Sequence, residues 1–211
     1  NMNNNDNELT MKQYIKQYKV LSKWNLSVLN GFVAASTAFM CSGGLLSVTI
    51  PSFIGCIGLA TSASALNQIQ EYKFDNNMLR TRLKRPLCTG KLTQNEALGF
   101  VLSTGLFGTF ILYNYCGVVT ALIGGSTMLI YNFIYTPLKR KTPYNTEFGA
   151  IVGALVPQIG IAASYHNILN NSDNMDVLWN VINDPLSWYL FVLLYSWQMP
   201  HFLYINIRNK I

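Results

Sequence analysis

Asn67, Glu71 and Asp75 stand four residues apart, and on an α-helix that spacing puts all three on one face, a column of oxygen donors roughly 12 Å long. Arg80, Arg82, Lys84 and Arg85 follow Asp75 closely. Hard oxygen ligands suit Mg²⁺, which usually takes one or two carboxylates and completes its shell with substrate phosphate oxygens. Cations beside such a site suit the phosphates themselves, Arg as a planar fork and Lys as a movable point charge. The pattern predicts metal-bridged diphosphate binding, with Asn67, Glu71 and Asp75 on the metal and Arg80, Lys84, Arg85 and Lys73 as clamps. The competing reading is a solvated loop between two membrane helices, stabilised by Glu–Lys pairs.

A second basic cluster, Lys139-Arg140-Lys141, follows Tyr135-Thr136-Pro137-Leu138. Two such clusters on one membrane face could close over one anion, although a short positive loop after a span is also what orientation alone requires. Metal and cations bound to a diphosphate would neutralise it as a leaving group while an allylic carbon–oxygen bond breaks. The resulting carbocation needs protection from water. A cavity among membrane helices supplies it, and the ring faces of Tyr131, Phe133, Tyr135 and Trp197 could attract the positive charge. Aromatic residues at helical spacing equally serve as core or lipid-facing groups.

The elements that must position these residues are membrane helices. Half of the residues are hydrophobic and only 11% are charged, and the charges are clustered between long uncharged runs, so the chain reads as an all-α, polytopic transmembrane helical bundle. Trp24 to Gln70 carries no charge and suits two helices of roughly 20 residues each, turning near Gly43, Gly44 and Ser47. Leu92 to Leu138 carries only Glu96 and again suits two, broken near Tyr115, Cys116 and Gly117. A fifth span is expected from about Thr146 to Tyr165 and a sixth from about Pro185 to Ile205. With six spans, all fifteen Lys and Arg residues fall on one side, as the positive-inside rule predicts. The longest segment on the other side, near residues 166 to 184, carries Asp173, Asp176 and Asp184 instead; His166, in this polar loop, is expected to be solvated.

The net charge of +6 is thus explained by topology and by anionic lipid, and gives no argument for nucleic acid. Cys41, Cys56, Cys88 and Cys116 show no CxxC spacing and read as apolar thiols rather than a disulfide or zinc framework. Residues 1–20 read as an Asn-rich polar tail ahead of a membrane domain at 21–211, and no targeting signal is visible.

These residues resemble a known family. Asn67-x3-Glu71-x3-Asp75, then Asn77-Met78-x-Arg80-Thr81 and Arg85-Pro86-Leu87, is similar to the first aspartate-rich motif of the intramembrane prenyltransferases of the UbiA superfamily, and most of all to its protohaem IX farnesyltransferase (haem O synthase) branch. Tyr135-Thr136-Pro137-Leu138-Lys139-Arg140, Asn145-Thr146-x2-Gly149-Ala150-x2-Gly153-Ala154-x2-Pro157 and Tyr195-Ser196-Trp197-Gln198-Met199-Pro200-His201-Phe202 agree in order. Leu21-Ser22-Lys23 resembles the segment before the family's first helix. Glu71 stands where many members have Asp, the stretch between Thr81 and Arg85 is one residue longer than usual, and Val156 replaces the first of two prolines.

The resemblance implies nine helices, of which about six are present, and a second acidic motif after the sixth; the chain is therefore expected to be part of a longer one. It implies transfer of a farnesyl group from farnesyl diphosphate to a vinyl group of haem b, giving haem O for haem A and cytochrome oxidase, in the mitochondrial inner membrane with the basic loops in the matrix. Asn67, Glu71 and Asp75 would bind Mg²⁺; Arg80, Lys84, Arg85, Lys139 and Arg140 would hold the diphosphate; His201, with Trp197 and Gln198, would meet the haem. Membrane lipid, haem A synthase and cytochrome oxidase assembly factors are the implied partners. A quinone precursor as acceptor, or a non-catalytic membrane fragment that kept the fold, are the alternatives.

Overall fold

The computed structural model describes residues 10–142, 144–169 and 173–208, and among them every regular element is helical. A capping box between Thr10 and Gln13 starts α1 (Met11–Leu21). Composition predicted a polar tail to residue 20, whereas from Met11 onward the chain is helical. Tyr14, Tyr18 and Leu21, at helical spacing between the lysines, pack with Leu87, Leu92, Ala97 and Val101. The stretch 1–9 of the expected tail lies outside the described residues.

After Ser22 and Lys23, α2 (Trp24–Cys41) leads through Gly43 and Gly44, with φ of 69° and 92°, into α3 (Leu46–Asp75). Positive φ is what glycine permits and most residues do not, and it places the turn where the sequence located it. With 30 residues, α3 is about 45 Å long, against about 30 Å of bilayer hydrocarbon. Its last turns therefore carry Asn67, Glu71 and Asp75 to one edge of the membrane. α4 (Leu79–Arg82) is a single turn in the basic loop.

The capping box of Thr93 and Glu96 opens α5 (Gln94–Cys116). Gly117, with φ of 87°, separates it from α6 (Val118–Leu129), which continues through a π-helical segment (Ile130–Tyr135) into α7 (Thr136–Leu138). α8 (Asn145–Ala154), α9 (Val156–Ile168), α10 (Asn174–Asn183) and α11 (Pro185–Arg208) complete the order. His166 is not in a polar loop: it lies in the last turn of α9, where a Cβ on Gly117 would stand 2.5 Å from its Nδ1. The expected polar connection after it contains α10, whose Val177 and Val181 pack with Ile161 and Ala162.

Among the described residues four stretches are long and apolar enough to cross a membrane: Leu46–Asp75, Gln94–Cys116, Val118–Leu138 and Asn145–Ile168. α11 reaches that standard only together with α10, the two bent by 61°. The remaining expected span, α2, is uncharged and 18 residues long, and Asn25, Ser27 and Asn30 lower its apolarity. The polytopic all-helical class stands, with four to five clear spans where six were expected.

Small residues hold the bundle together, as they do where lipid offers no hydrophobic contrast. α3 lies at its centre and packs most extensively on α5, then on α2. A Cβ on Gly108 would lie 2.8 Å from the Gly55 carbonyl oxygen and the Leu59 nitrogen, so α3 and α5 touch backbone to backbone. The Ser62 hydroxyl donates to the Val101 carbonyl at 2.8 Å across this contact. α2 and α9 are joined likewise, by Thr37 donating to the Pro157 carbonyl at 3.1 Å and Ser164 to the Ala38 carbonyl at 3.1 Å. These contacts fix the helix whose end carries the acidic pair.

Candidate functional site

Carboxylates at the C-terminal end of a helix oppose the negative end of its dipole. Glu71 and Asp75 occupy that position in α3 and are nevertheless buried, at 3% and 4% exposure. Cations delivered by two other segments compensate them. Arg85 pairs with Asp75 and lies 3.5 Å from the second carboxylate, Glu71 Oε2. Lys139 Nζ is 3.2 Å and Arg140 Nη2 3.7 Å from Glu71 Oε1. The Arg140 guanidinium also sits 3.0 Å from the ring centre of Phe74, a cation–π contact from the same helical turn. The two basic clusters thus meet over one acidic pair.

Local chemistry explains how each segment arrives. Thr81 donates its hydroxyl to the Asp75 carbonyl at 2.8 Å, folding the basic loop back on the end of α3, and buried Leu87 and Leu92 anchor the far end of that loop. Pro137 has no N–H to give to an earlier carbonyl, and the helix ahead of it is widened into the π segment. The Thr136 hydroxyl donates to the Tyr131 carbonyl at 2.8 Å and accepts from Asn67 Nδ2 at 2.9 Å. Asn67 therefore ties α3 to the segment that carries Lys139 and Arg140. Tyr131 and Tyr135, four residues apart, stack with ring centres 5.3 Å apart.

A cavity of about 400 Å³ opens beside these groups, lined by Glu71, Asp75, Arg80, Arg85, Lys139 and Arg140, with Phe74 and Thr81. Four cations and two carboxylates line it, so its walls carry a net positive charge. Nearer the middle of the bundle is an apolar cavity of about 110 Å³, whose walls include Leu59, Ala63, Met128, Tyr131, Gly153 and Val156. Among the described residues no cluster of three or more His, Cys, Asp or Glu gathers. The two carboxylates line the cationic cavity, and carboxylate oxygens are donors of the kind a hard divalent cation takes; Asn67, bonded to Thr136, is buried and does not line it.

Of the other residues singled out from the sequence, Lys84 and Lys73 are exposed and neither lines the cavity. Phe133 points outward at 61% exposure. The segment Trp197 to Phe202 divides between two faces of α11. Gln198 and Phe202 cover Gly153 and Gly149 of α8, leaving no room for a side chain there. Trp197 and His201 lie on the other face, exposed, their rings stacked with centres 5.4 Å apart. Phe202 and Tyr135 both stand 3.0 Å from a Cβ built on Gly149, so this end of α11 lies at the cationic end of the bundle.

Sequence reasoning left one residue of this region without a role. Lys23 adopts a left-handed conformation, φ 47°, and donates to the Tyr131 hydroxyl at 3.4 Å. Burial pulls its pKa below the ordinary lysine value, the Arg85 charge adds to that, and Glu71 opposes it. Its signal in the sequence was position alone, the last cation before a long uncharged run.

The model of the UbiA prenyltransferase family matches residues 28–210. The mitochondrial protoheme IX farnesyltransferase of Kluyveromyces lactis is 37% identical over 207 residues, 94% of this chain and 41% of the relative. That of Arabidopsis thaliana is 34% identical over 195 residues, 90% of this chain and 41% of the relative. The protoheme IX farnesyltransferase of Rhodopirellula baltica is 38% identical over 152 residues, 72% of this chain and 48% of the relative. The chain spans less than half the length of each of these relatives, and no solved structure matches it. The acidic pair, the basic segments that close on it and the glycine face of α8 all lie inside the matched residues, and the chain belongs to the UbiA prenyltransferase family.

Proposed function

We propose that this chain carries the prenyl-donor site of a protohaem IX farnesyltransferase, and that the protein transfers a farnesyl group from farnesyl diphosphate to haem b, giving haem O. The observation that carries the reading is the cavity in which four cations surround two buried carboxylates at the edge of an apolar bundle. A diphosphate ester carries roughly three negative charges, and Arg and Lys forks of this kind hold phosphate oxygens. The relatives, all named protoheme IX farnesyltransferases, support haem as the acceptor.

In this reading Arg80, Arg85, Lys139 and Arg140 bind the diphosphate oxygens, and Lys84 is an outer cation of the same loop. Glu71 and Asp75 would hold Mg²⁺, which when bound supplies charge neutralisation of the diphosphate leaving group. Arg85, which spans Glu71 and Asp75, exchanges its carboxylate partners for phosphate. The prenyl chain enters the apolar cavity beside Tyr131, where water is excluded. As the allylic carbon–oxygen bond breaks, its electron pair leaves with the diphosphate, and the vinyl electrons of the porphyrin form the new carbon–carbon bond. The cation left on the former vinyl group is discharged by water with release of a proton. Trp197 and His201 offer a flat aromatic face and an imidazole to the porphyrin, and Gln198 holds α11 against α8.

The mitochondrial relatives and the one-sided distribution of cations support an inner-membrane location with the basic end in the matrix. The test is direct. The protein in lipid nanodiscs is supplied with farnesyl diphosphate, Mg²⁺, haem b and a quinone precursor, and the products are weighed by mass spectrometry. A farnesylated porphyrin is expected. Prenylation of the quinone precursor alone, or of neither acceptor, would contradict the assignment.

A further inference from the structure

The turn that presents Lys23 is built with more care than a connector between two helices requires. Only Ser22 and Lys23 separate α1 from α2, and Lys23 is the one described non-glycine residue with positive φ, a conformation that costs on the order of 1 kcal/mol or more for a residue with a side chain. The Gln68 amide donates to the Val20 carbonyl at 3.0 Å and the Leu21 carbonyl at 2.9 Å. The Ser27 hydroxyl donates to the Ser22 carbonyl at 2.8 Å. Gln68 follows Asn67 directly in α3, so the helix that carries the acidic pair also fixes the turn that carries Lys23. The surroundings hold Lys23 in place against its own backbone preference, which is the usual mark of a positioned group.

What it is positioned against is Tyr131. That phenol lines the apolar cavity, stacks on Tyr135, and lies about two helical turns ahead of Lys139, which lines the cationic cavity. It therefore stands between the cationic cavity and the apolar one. An ammonium has donors only, so Lys23 meets the phenol oxygen and leaves the phenol proton to be given to another acceptor.

We propose that Lys23 and Tyr131 form a relay at the junction of the two cavities, in which the Tyr131 hydroxyl donates to the ester oxygen that joins a prenyl chain to its diphosphate. Resting on the farnesyl diphosphate reading above, this makes Tyr131 a catalytic residue and Lys23 the residue that positions it. When the carbon–oxygen bond breaks, its electron pair goes to that oxygen, and the hydrogen bond stabilises the developing charge with no proton transferred. A neighbouring ammonium strengthens the phenol as a donor.

The test separates the ester from the bare anion. Affinities for farnesyl diphosphate with no porphyrin acceptor present, which keeps the ester oxygen, and for inorganic diphosphate, both with Mg²⁺, are measured in nanodiscs for the unaltered chain, Lys23→Met, Lys23→Arg and Tyr131→Phe, with a melting curve for each. Tyr131→Phe and Lys23→Met should weaken the ester roughly tenfold or more and leave inorganic diphosphate within about twofold, while Lys23→Arg recovers most of the loss. Equal weakening of both ligands, or none, overturns the relay. Should Lys23→Met fail to fold, Tyr131→Phe alone decides, because it removes one hydroxyl and keeps the ring stack. Failure of the unaltered chain to bind either ligand would instead overturn the functional reading on which the relay rests.

Discussion

Arg85 is the residue on which the charge balance of the site turns. It contacts both Glu71 and Asp75, and it is itself mostly buried. Removing one partner of a buried ion pair leaves an uncompensated charge, at a cost of about 3–5 kcal/mol, more than the intact pair contributes. Arg85→Met is therefore expected to lower thermal stability in detergent markedly, and Asp75→Asn, added to it, to restore part of the loss. If the double variant melts lower than Arg85→Met alone, the pairing of Arg85 with Asp75 is not what stabilises this end of α3. The acidic column was legible from the four-residue spacing of Asn67, Glu71 and Asp75, and Arg85 from its place in the following basic run. The choice of Arg85 over Lys84 was not legible, because adjacent residues in a turn point apart and no periodicity says which one turns inward. Lys23 was invisible for a related reason: its importance comes from Gln68 and Tyr131, 45 and 108 positions away in the chain.

The α3–α5 contact is the element that sets the geometry of everything above it. Gly58 and Gly108 bring the two backbones together, and a methyl group on Gly108 would meet backbone atoms at 2.8 Å that cannot turn aside. Gly108→Ala is expected to destabilise the bundle by about 1–3 kcal/mol and to weaken diphosphate binding by displacing the end of α3. Gly99→Ala in the same helix, where a Cβ meets nothing within 4 Å, should be neutral or slightly stabilising; melting curves of the two variants check both statements, and similar losses would show that close approach is not the determinant. The helices themselves, and the breaks at Gly43, Gly44 and Gly117, were legible from uncharged runs punctuated by glycine. The π-helical turn ahead of Pro137 and the surface helix α10 were not. The first depends on how Thr136 and Asn67 satisfy the widened backbone, and the second is a short amphipathic segment whose Val177 and Val181 declare themselves only once α9 is beside them.

At the scale of the whole molecule, charge is sorted by end. Lys23, Arg85, Lys139 and Arg140, brought from three separate segments, converge on the end of α3, while Asp173, Asp176 and Asp184 accompany α10. That sorting was legible in the sequence as an orientation rule; that it also concentrates the cations around two carboxylates was not, because a topology argument gives a side of the membrane and no distances. In the proposed function this cationic end is a metal-dependent diphosphate site. Isothermal titration of inorganic diphosphate into the nanodisc-embedded protein, with Mg²⁺ and then with chelator, tests it most directly. Binding is expected to weaken at least tenfold when Mg²⁺ is removed, and to lose this dependence on Mg²⁺ in Glu71→Gln and Asp75→Asn. Diphosphate binding of equal strength with and without Mg²⁺, or dependence on Mg²⁺ that survives both substitutions, would contradict it.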